Sequence, residues 1–240
     1  MKMRFRIAAE LLTALVFLVA VSVGADESAD TGADGSVDAP RPDTWHATTY
    51  VKSSRGLHVI HYWSKRSWMR AQTTIDGHLI VTIVRDGDYI AFDALAGRGA
   101  RIRRTPAAVK EDRDRSRPFG NDLAELIAQG ADKVEDSTRS GRAVEIWQKT
   151  DGAGRRKLWV TSDEPKLPMR LEIFVRGGAD TITTDYADWM MGLEVPDSFF
   201  EAPPDVKLEK LDYSAYIDAS AVRRVGPVLY PELLHGSKHR

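Results

Sequence analysis

The sequence predicts a mainly β fold, a curved antiparallel sheet of about nine or more strands with a small helical lid. Alternation of apolar and polar residues is clear around Leu171 and Ile173, and it places one row of side chains on one face of a strand. Asp-Gly pairs begin at Asp76, Asp86 and Asp151, between β-branched or aromatic runs. This dipeptide favours the tight turns of antiparallel hairpins, because both of its residues tolerate positive φ.

Eight strands can be placed from these runs. They span residues 44–51, 57–63, 79–84, 89–93, 143–149, 157–161, 169–175 and 181–190. The segment between the sixth and seventh strands is polar and contains Pro165 and Pro168, which indicates a turn. Turn signals of this kind between successive runs predict a meander, in which neighbours in sequence pair with each other.

One segment departs from the β pattern. Asn121 is a residue type that caps helices, Leu123, Leu126 and Ile127 follow at helical spacing, and Gly130 is a typical stop signal. The predicted helix has only two to three turns. A helix this short is unstable alone in water, so we expect it to lie on an apolar surface.

The N-terminus has the features of a cleaved secretory signal peptide. Three basic residues precede an apolar run at residues 11–23, and the small residues at 23–25 suit a signal peptidase. The alternative is a retained membrane anchor. Glu10 and Ser22 shorten its apolar core below the roughly 20 residues that a bilayer span needs, so we predict cleavage after residue 25.

Charge and cysteine content exclude several classes of protein. The chain has 34 basic and 35 acidic side chains, a balance that argues against a nucleic-acid partner. It has no cysteine, so it has no acylation site of the bacterial lipoprotein type, no disulfide and no thiolate metal site. Residues 98–117 contain eight basic and three acidic residues. This run fits either a solvated loop or a surface for lipid headgroups or an acidic partner.

The domain boundaries follow from composition. Residues 26–43 contain six carboxylates, one arginine and little apolar side chain, which predicts a flexible linker. Residues 44–213 form one β domain of ordinary size. Residues 214–240 have no strong pattern and are expected to form a C-terminal tail, with a possible helix at 215–223.

Enzymatic chemistry is not indicated. No Gly-x-Ser-x-Gly, Ser-x-x-Lys or phosphate-binding glycine loop occurs. His58 and His61 are three apart on a predicted strand, so they are expected on opposite faces and cannot share a metal. The same spacing separates Asp185 from Asp188. We therefore expect no catalytic residue, no cofactor and no metal site.

Apolar residues on the strands are expected to share one greasy face of the sheet. They are Val81, Ile83, Phe92, Val144, Ile146, Leu158, Val160, Leu171 and Ile173. The helix at 121–129 and the possible helix at 215–223 are the only predicted covers. The residues alone leave two interpretations open: an ordinary core packed against helices, or an under-covered sheet that leaves an apolar cavity.

Three motifs resemble the LolA and LolB-like family of outer-membrane lipoprotein carriers. Residues 196–206, Pro-Asp-Ser-Phe-Phe-Glu-Ala-Pro-Pro-Asp-Val, follow the last predicted strand as such domains end, with aromatics, a Pro-Pro turn and a short Val-containing strand. Trp63-Ser64-Lys65-Arg66 is similar to a Trp-x-Lys-Arg step of the family. Arg117-Pro118-Phe119 with the helix after it looks like the short helix of the family's lid.

This resemblance implies an open half-barrel around an apolar cavity, without enzymatic activity. It assigns Phe119, Leu123, Leu126 and Ile127 to a lid and Arg66 to a latch that holds the empty cavity shut. The implied function is a soluble periplasmic carrier for acyl chains of a lipid or lipoprotein, moving them towards the outer membrane between membrane donor and acceptor proteins. The alternative is a periplasmic sensor of the anti-sigma-regulator kind, which detects lipid and acts on a protein partner.

Overall fold

The computed structural model describes residues 43–54, 56–113, 115, 117–178, 181–217 and 228–236. The predicted signal peptide and nearly all of the predicted linker lie outside these residues, as does most of the possible helix at 215–223. Both N-terminal assignments therefore stay predictions.

Twelve strands form one open, curved sheet. They are β1 Thr44–Ser53, β2 Gly56–Lys65, β3 Trp68–Ile75, β4 His78–Arg85, β5 Asp88–Asp93, β6 Arg98–Arg103, β7 Asp132–Arg139, β8 Arg142–Asp151, β9 Gly154–Thr161, β10 Pro168–Val175, β11 Thr181–Met191 and β12 Lys207–Leu211. Their order is β12-β6-β5-β4-β3-β2-β1-β11-β10-β9-β8-β7. The predicted class, a mainly β curved sheet with few short helices, is confirmed.

The sheet consists of two antiparallel meanders that meet where β1 pairs with β11. The first runs outward from β1 to β6. The chain then crosses to the opposite edge and returns from β7 to β11. β12 finally pairs with β6 in parallel, the exception among otherwise antiparallel pairs.

In the described residues, four short helices and one 3-10 helix accompany the sheet. They are α1 Pro106–Glu111, α2 Asp122–Ala128, α3 Tyr213–Ile217, α4 Pro231–His235 and the 3-10 helix Asp197–Phe200. The helix predicted at 121–129 is thus confirmed as α2. Asn121 does not cap it through its side chain; its amide instead donates to the carbonyl of Arg117 over 2.6 Å.

The strand register assigns side chains to two faces, because directly opposite residues of an antiparallel pair point to the same side. One row crosses β1 to β6 as Ala47, Tyr62, Ala71, Thr82, Ala91 and Ala100. We call this side the lid face, since helix α2 packs on it. Its small side chains leave room for larger ones from the segments that cover it.

The opposite side of the sheet is covered over β2 to β5 by residues 195–206, which we call the strap, and we call this whole side the strap face. Phe200 of this strap is fully buried and packs with the buried Val81, Ile83 and Phe92. The strap is the segment whose Phe-Phe and Pro-Pro pattern carried the family resemblance. Its function in the fold is to bury the outer side chains of β4 and β5.

The prediction of one shared greasy face is wrong. Val81, Ile83, Phe92, Val144 and Ile146 lie on the strap face, and Leu158, Val160, Leu171 and Ile173 lie on the lid face. The register makes this explicit, because Ile146 lies opposite Trp159 whereas Leu158 lies opposite Leu171. Alternation within one strand identifies residues that share a face, but it does not say which face two distant strands have in common.

Part of the predicted tail belongs to the core. Leu233 and Leu234 are 1% and 0% exposed, and Leu229 is also buried. We call Val228–Gly236 the C-terminal segment. The expectation of a tail beginning at residue 214 is therefore corrected for this segment, which the short helix α4 anchors by its two leucines.

Candidate functional site

We call residues 117–128 the lid, after the predicted role of this segment, and it is built around a buried arginine. Arg117 is 7% exposed, and its guanidinium donates to the carbonyls of Phe119 (3.0 Å) and Gly120 (2.7 Å). Asn121 closes the turn by donating to the carbonyl of Arg117. Arginine can satisfy several carbonyls at once with its fork of N–H groups, so Arg117 holds the loop that leads into α2.

Aromatic side chains of the sheet receive this loop. Phe119 stacks on Tyr62 and Trp189, with ring centroids 4.9 and 5.8 Å away. The Arg117 guanidinium lies 4.8 Å from the ring centroid of Trp45 and 5.2 Å from that of Trp189. Stacked rings and a cation over an aromatic face both stabilise such a contact beyond simple burial.

Helix α2 covers the second meander. Leu126 is buried and Leu123 half-buried, and both pack with Leu158, Val160 and Leu171 of the lid face. Phe119, Leu123 and Leu126 thus pack against the sheet, and their assignment to a lid stays a prediction. Ile127 differs, because it is 45% exposed.

One polar contact ties α2 to the sheet. The Tyr186 hydroxyl donates to Asp122 Oδ2 over 2.8 Å. Burial raises the pKa of Asp122 above its ordinary value, and burial together with the neighbouring carboxyl raises the pKa of Tyr186 well above 10.0. The packed lid thus holds a carboxyl in surroundings that disfavour its charge.

Arg66 is not a latch for this lid. It lies in the turn between β2 and β3 with a φ of 55°, and its side chain is 80% exposed. Its Nε is 3.7 Å from Asp43 Oδ2, and its backbone N–H donates to the carbonyl of Asp43. The donor that binds lid carbonyls is Arg117, within the lid itself.

The C-terminal segment covers the remaining part of the lid face. Leu233 and Leu234 join the cluster that contains Tyr89 and Ile102, and Tyr230 packs against the same cluster. The apolar lid-face residues buried in this region are Met69, Ala71, Val84, Tyr89, Ala91, Ala100 and Ile102. Phe119 and the C-terminal segment lie on one continuous apolar surface.

The histidines and carboxylates of the described ranges do not form a metal site. Among these residues, no three His, Asp or Glu side chains come together in a way that would hold a metal ion. His58 and His61 lie on opposite faces, as predicted. An open groove of about 510 Å³ lies between Asp43, Lys65 and residues 193–196, and its lining contains no residue of the lid. The described part of the chain has no helix with the length and apolarity to span a membrane.

Sequence reasoning missed the aromatic bed of the lid. The bed consists of Trp45, Tyr62, Tyr186 and Trp189, which stand on β1, β2 and β11. These strands come together because β1 pairs both with β2 and with the remote β11. That pairing also contains a register shift between His46 and Thr48. The one local signal was the aromatic content of these strands, which by itself indicates a core as readily as a binding surface.

Comparison with known proteins supports the fold. No model of a protein family matches the sequence, and no curated protein matches it. An uncharacterized conserved protein from Thermus thermophilus is similar in structure, with a TM-score of 0.51, 8% sequence identity, and coverage of 70% of this chain and 91% of that chain. At such low identity this likeness concerns the fold alone.

Two further solved structures are similar more weakly. A chain of the Pseudomonas aeruginosa MucA/MucB complex matches with a TM-score of 0.43 and 15% identity, over 69% of this chain and 58% of that one. A putative outer membrane lipoprotein-sorting protein domain from Vibrio parahaemolyticus matches with a TM-score of 0.30 and 11% identity, over 67% of this chain and 89% of that one. The structural neighbours thus include a chain of the MucA/MucB complex and a putative lipoprotein-sorting protein domain.

Proposed function

We propose that this protein is a carrier that holds acyl chains of a lipid or lipoprotein between the lid face and the lid. The observation that carries the proposal is the kind of cover on this apolar face. Helix α2 has seven residues, too few to be stable without the sheet beneath it. A cover made of short segments can detach from this face without disrupting the strands. A long packed helix could not detach in this way.

The energies involved favour exchange of the lid for a ligand. Phe119 and Leu126 are the lid side chains buried most completely, at 7% and 4% exposure, and burying each stabilises by roughly 1.5–3 kcal/mol. An acyl chain of about fifteen methylenes gains on the order of 12 kcal/mol when buried, at about 0.8 kcal/mol each. A bound chain therefore offsets the lid contacts that it replaces, while the empty protein keeps its apolar surface closed.

The proposed location is the periplasm, with transfer towards the outer membrane between donor and acceptor proteins. The support is the predicted signal peptide at residues 1–25 and the motif resemblance to lipoprotein carriers. N-terminal sequencing of the mature protein should begin at Asp26. Recovery of the uncleaved chain in the membrane fraction would contradict a freely moving carrier.

Binding can be tested with two adjacent substitutions on β10. Ile173 is on the lid face and Phe174 on the strap face, where it is 43% exposed. Ile173→Glu should abolish binding of a fluorescent fatty acid, because a carboxylate facing a buried acyl chain cannot be desolvated cheaply. Phe174→Glu is the matched control and should bind as the wild type does. A folded Ile173→Glu protein that still binds would refute the site.

Transfer separates the carrier from the alternative sensor. A carrier loaded with a fluorescent lipopeptide should pass it to acceptor vesicles that contain the receiving protein. A sensor should keep its ligand and bind a protein partner only when loaded. Gel filtration of loaded and empty protein with a periplasmic extract distinguishes these outcomes.

A further inference from the structure

The C-terminal segment occupies the lid face in the way a ligand would. It contributes Leu233 and Leu234, which are at most 1% exposed, to the cluster built by Tyr89 and Ile102. The segment makes no strand pairing with the sheet. Its apolar side chains fill the space over the row of small residues on β3, β5 and β6.

The attachments of this segment are few and specific. Arg104 Nε donates to the carbonyl of Leu233 over 2.6 Å. Thr105 donates from its backbone N–H to the carbonyl of Leu234 (3.0 Å) and from its hydroxyl to the carbonyl of His235 (2.9 Å). These bonds hold helix α4 by its C-terminal carbonyls, which have no partners within the helix.

Arg104 keeps most of its partners whether or not the segment is bound. Its guanidinium forms a two-pronged pair with Asp112, at 2.7 and 2.8 Å, and also donates to the carbonyl of Asp86. The side chain is 0% exposed, so its charge needs that pairing. Release of the segment would cost Arg104 only the bond to Leu233, which water can replace.

The segment also meets the lid through Tyr62 of β2. Tyr89 accepts hydrogen bonds at its hydroxyl from the backbone N–H groups of Leu229 and Tyr230, both at 3.2 Å. The Tyr230 ring lies 5.9 Å from that of Tyr62, and Tyr62 stacks on Phe119 of the lid. The lid and the C-terminal segment therefore both pack on Tyr62, so displacing one of them removes support from the other.

We propose that the C-terminal segment is an intramolecular competitor of the acyl chain, a built-in plug that must leave the lid face when ligand binds. This inference rests on the proposed function and concerns its regulation. The apparent affinity of such a site falls in proportion to the fraction of protein with the site open. Weakening the plug should then tighten ligand binding, the reverse of what weakening a core element does.

The first test weakens the plug within the full chain. Leu234→Gln should bind cis-parinaric acid at least about tenfold more tightly than wild type, because the closed state loses a fully buried leucine. Leu208→Gln is the control, since Leu208 packs half-buried on the strap face, and its affinity should stay unchanged. A folded Leu234→Gln protein with unchanged or weaker binding would show that the C-terminal segment does not compete with the acyl chain.

The second test fixes the plug in place and does not depend on the folding of the first variant. A Cβ at Gly236 would lie 3.0 Å from Glu111 Oε1, and the φ of +85° at Gly236 strains any side chain placed there. The joined and cleaved forms of one double-cysteine variant share this strain, so they are compared with each other; the chain has no cysteine of its own. Glu111→Cys and Gly236→Cys can therefore be joined by a short cleavable crosslinker. The joined protein should bind cis-parinaric acid at least about tenfold more weakly than the cleaved form of the same variant, so cleavage should restore binding.

The outcomes separate the two proposals. Equal affinity of the joined and cleaved forms, with normal binding by wild type, rejects the plug and leaves the carrier intact. Absence of binding by wild type, Leu234→Gln and the cleaved protein alike rejects acyl-chain binding, and the plug with it.

Discussion

The Tyr186 hydroxyl donates a hydrogen bond of 2.8 Å to Asp122, the first residue of helix α2. Tyr186 stands on β11, beside the line where the two meanders meet. This contact therefore fixes the start of the lid helix to the middle of the sheet. The hydrogen bond also gives the Asp122 carboxyl, whose pKa is raised by burial, a polar partner inside the closed lid.

Removing this hydroxyl should loosen the lid. Tyr186→Phe leaves the Asp122 carboxyl without its partner, at a cost of about 1–3 kcal/mol. Urea denaturation should show that loss, and amide hydrogen exchange should speed up in α2 before the strands. Tyr50→Phe is a control, because Tyr50 is 38% exposed on the strap face. An unchanged exchange rate in α2 would show that the Tyr186–Asp122 hydrogen bond does not hold this helix on the sheet.

The pH dependence of stability should carry a signature of Asp122. Its folded pKa is raised above the ordinary value, so the folded protein keeps a proton that the unfolded chain releases. Stability from this group is thus lost as pH rises from about 4 through the folded pKa. Asp122→Asn keeps an acceptor for Tyr186 but does not titrate. Its stability relative to wild type should therefore increase across this window.

Urea denaturation of both proteins from about pH 4 to about pH 8 provides the measurement. Carboxyls with lowered pKa, such as Asp93 and Asp197, act in the opposite direction but are common to both proteins and cancel in the difference. A difference that is constant, or that shrinks as pH rises, would show that Asp122 is not shifted in this way.

Gly120 should not tolerate a side chain. Its φ is +67°, and a Cβ there would lie 2.7 Å from Trp189 Cη2. Trp189 is stacked on Phe119 and cannot shift cheaply. Gly141 is the matched control, with a φ of +76° and open space around its Cβ position. Gly120→Ala should lose roughly 1–3 kcal/mol more than Gly141→Ala on unfolding; equal losses would mean that the lid does not touch Trp189.

Substitution of Arg117 should destabilise the protein much more than substitution of Arg66. Arg117→Met removes the donors to the Phe119 and Gly120 carbonyls and should cost about 2–4 kcal/mol or open the lid. Arg66→Met should stay within about 0.5 kcal/mol of wild type, as is usual for exposed positions. Lipid off-rates measured alongside should change for Arg117→Met alone. A change for Arg66→Met would restore the latch expected from the family resemblance.

The sequence was informative wherever alternation or turn chemistry was strong. The hairpins at Asp76, Asp86 and Asp151 all occur between adjacent antiparallel strands. Strand β7, in contrast, reads Asp-Lys-Val-Glu-Asp-Ser-Thr-Arg and lies exposed at the sheet edge. Charges protect an edge strand from unwanted pairing, and the same charges hide it from a search for apolar alternation. β6 was hidden likewise by its three arginines.

The candidate site was harder to predict, because it depends on contacts between remote segments. The basic run at 98–117 contains Arg104 and Arg117, which are buried rather than solvated. Their partners are Asp112, lid carbonyls and the C-terminal segment. Local composition indicated a charged loop, since no local signal shows that a carbonyl more than a hundred residues away will meet the arginine.

The six tryptophans allow a direct test of which face binds acyl chains. Trp45, Trp147 and Trp189 lie on the lid face, and Trp63, Trp68 and Trp159 lie on the strap face. Two triple Trp→Phe variants each keep one set. A dibrominated stearic acid should quench most of the fluorescence of the protein with lid-face tryptophans and little of the other. Stronger quenching of the strap-face set would contradict a ligand site beneath the lid.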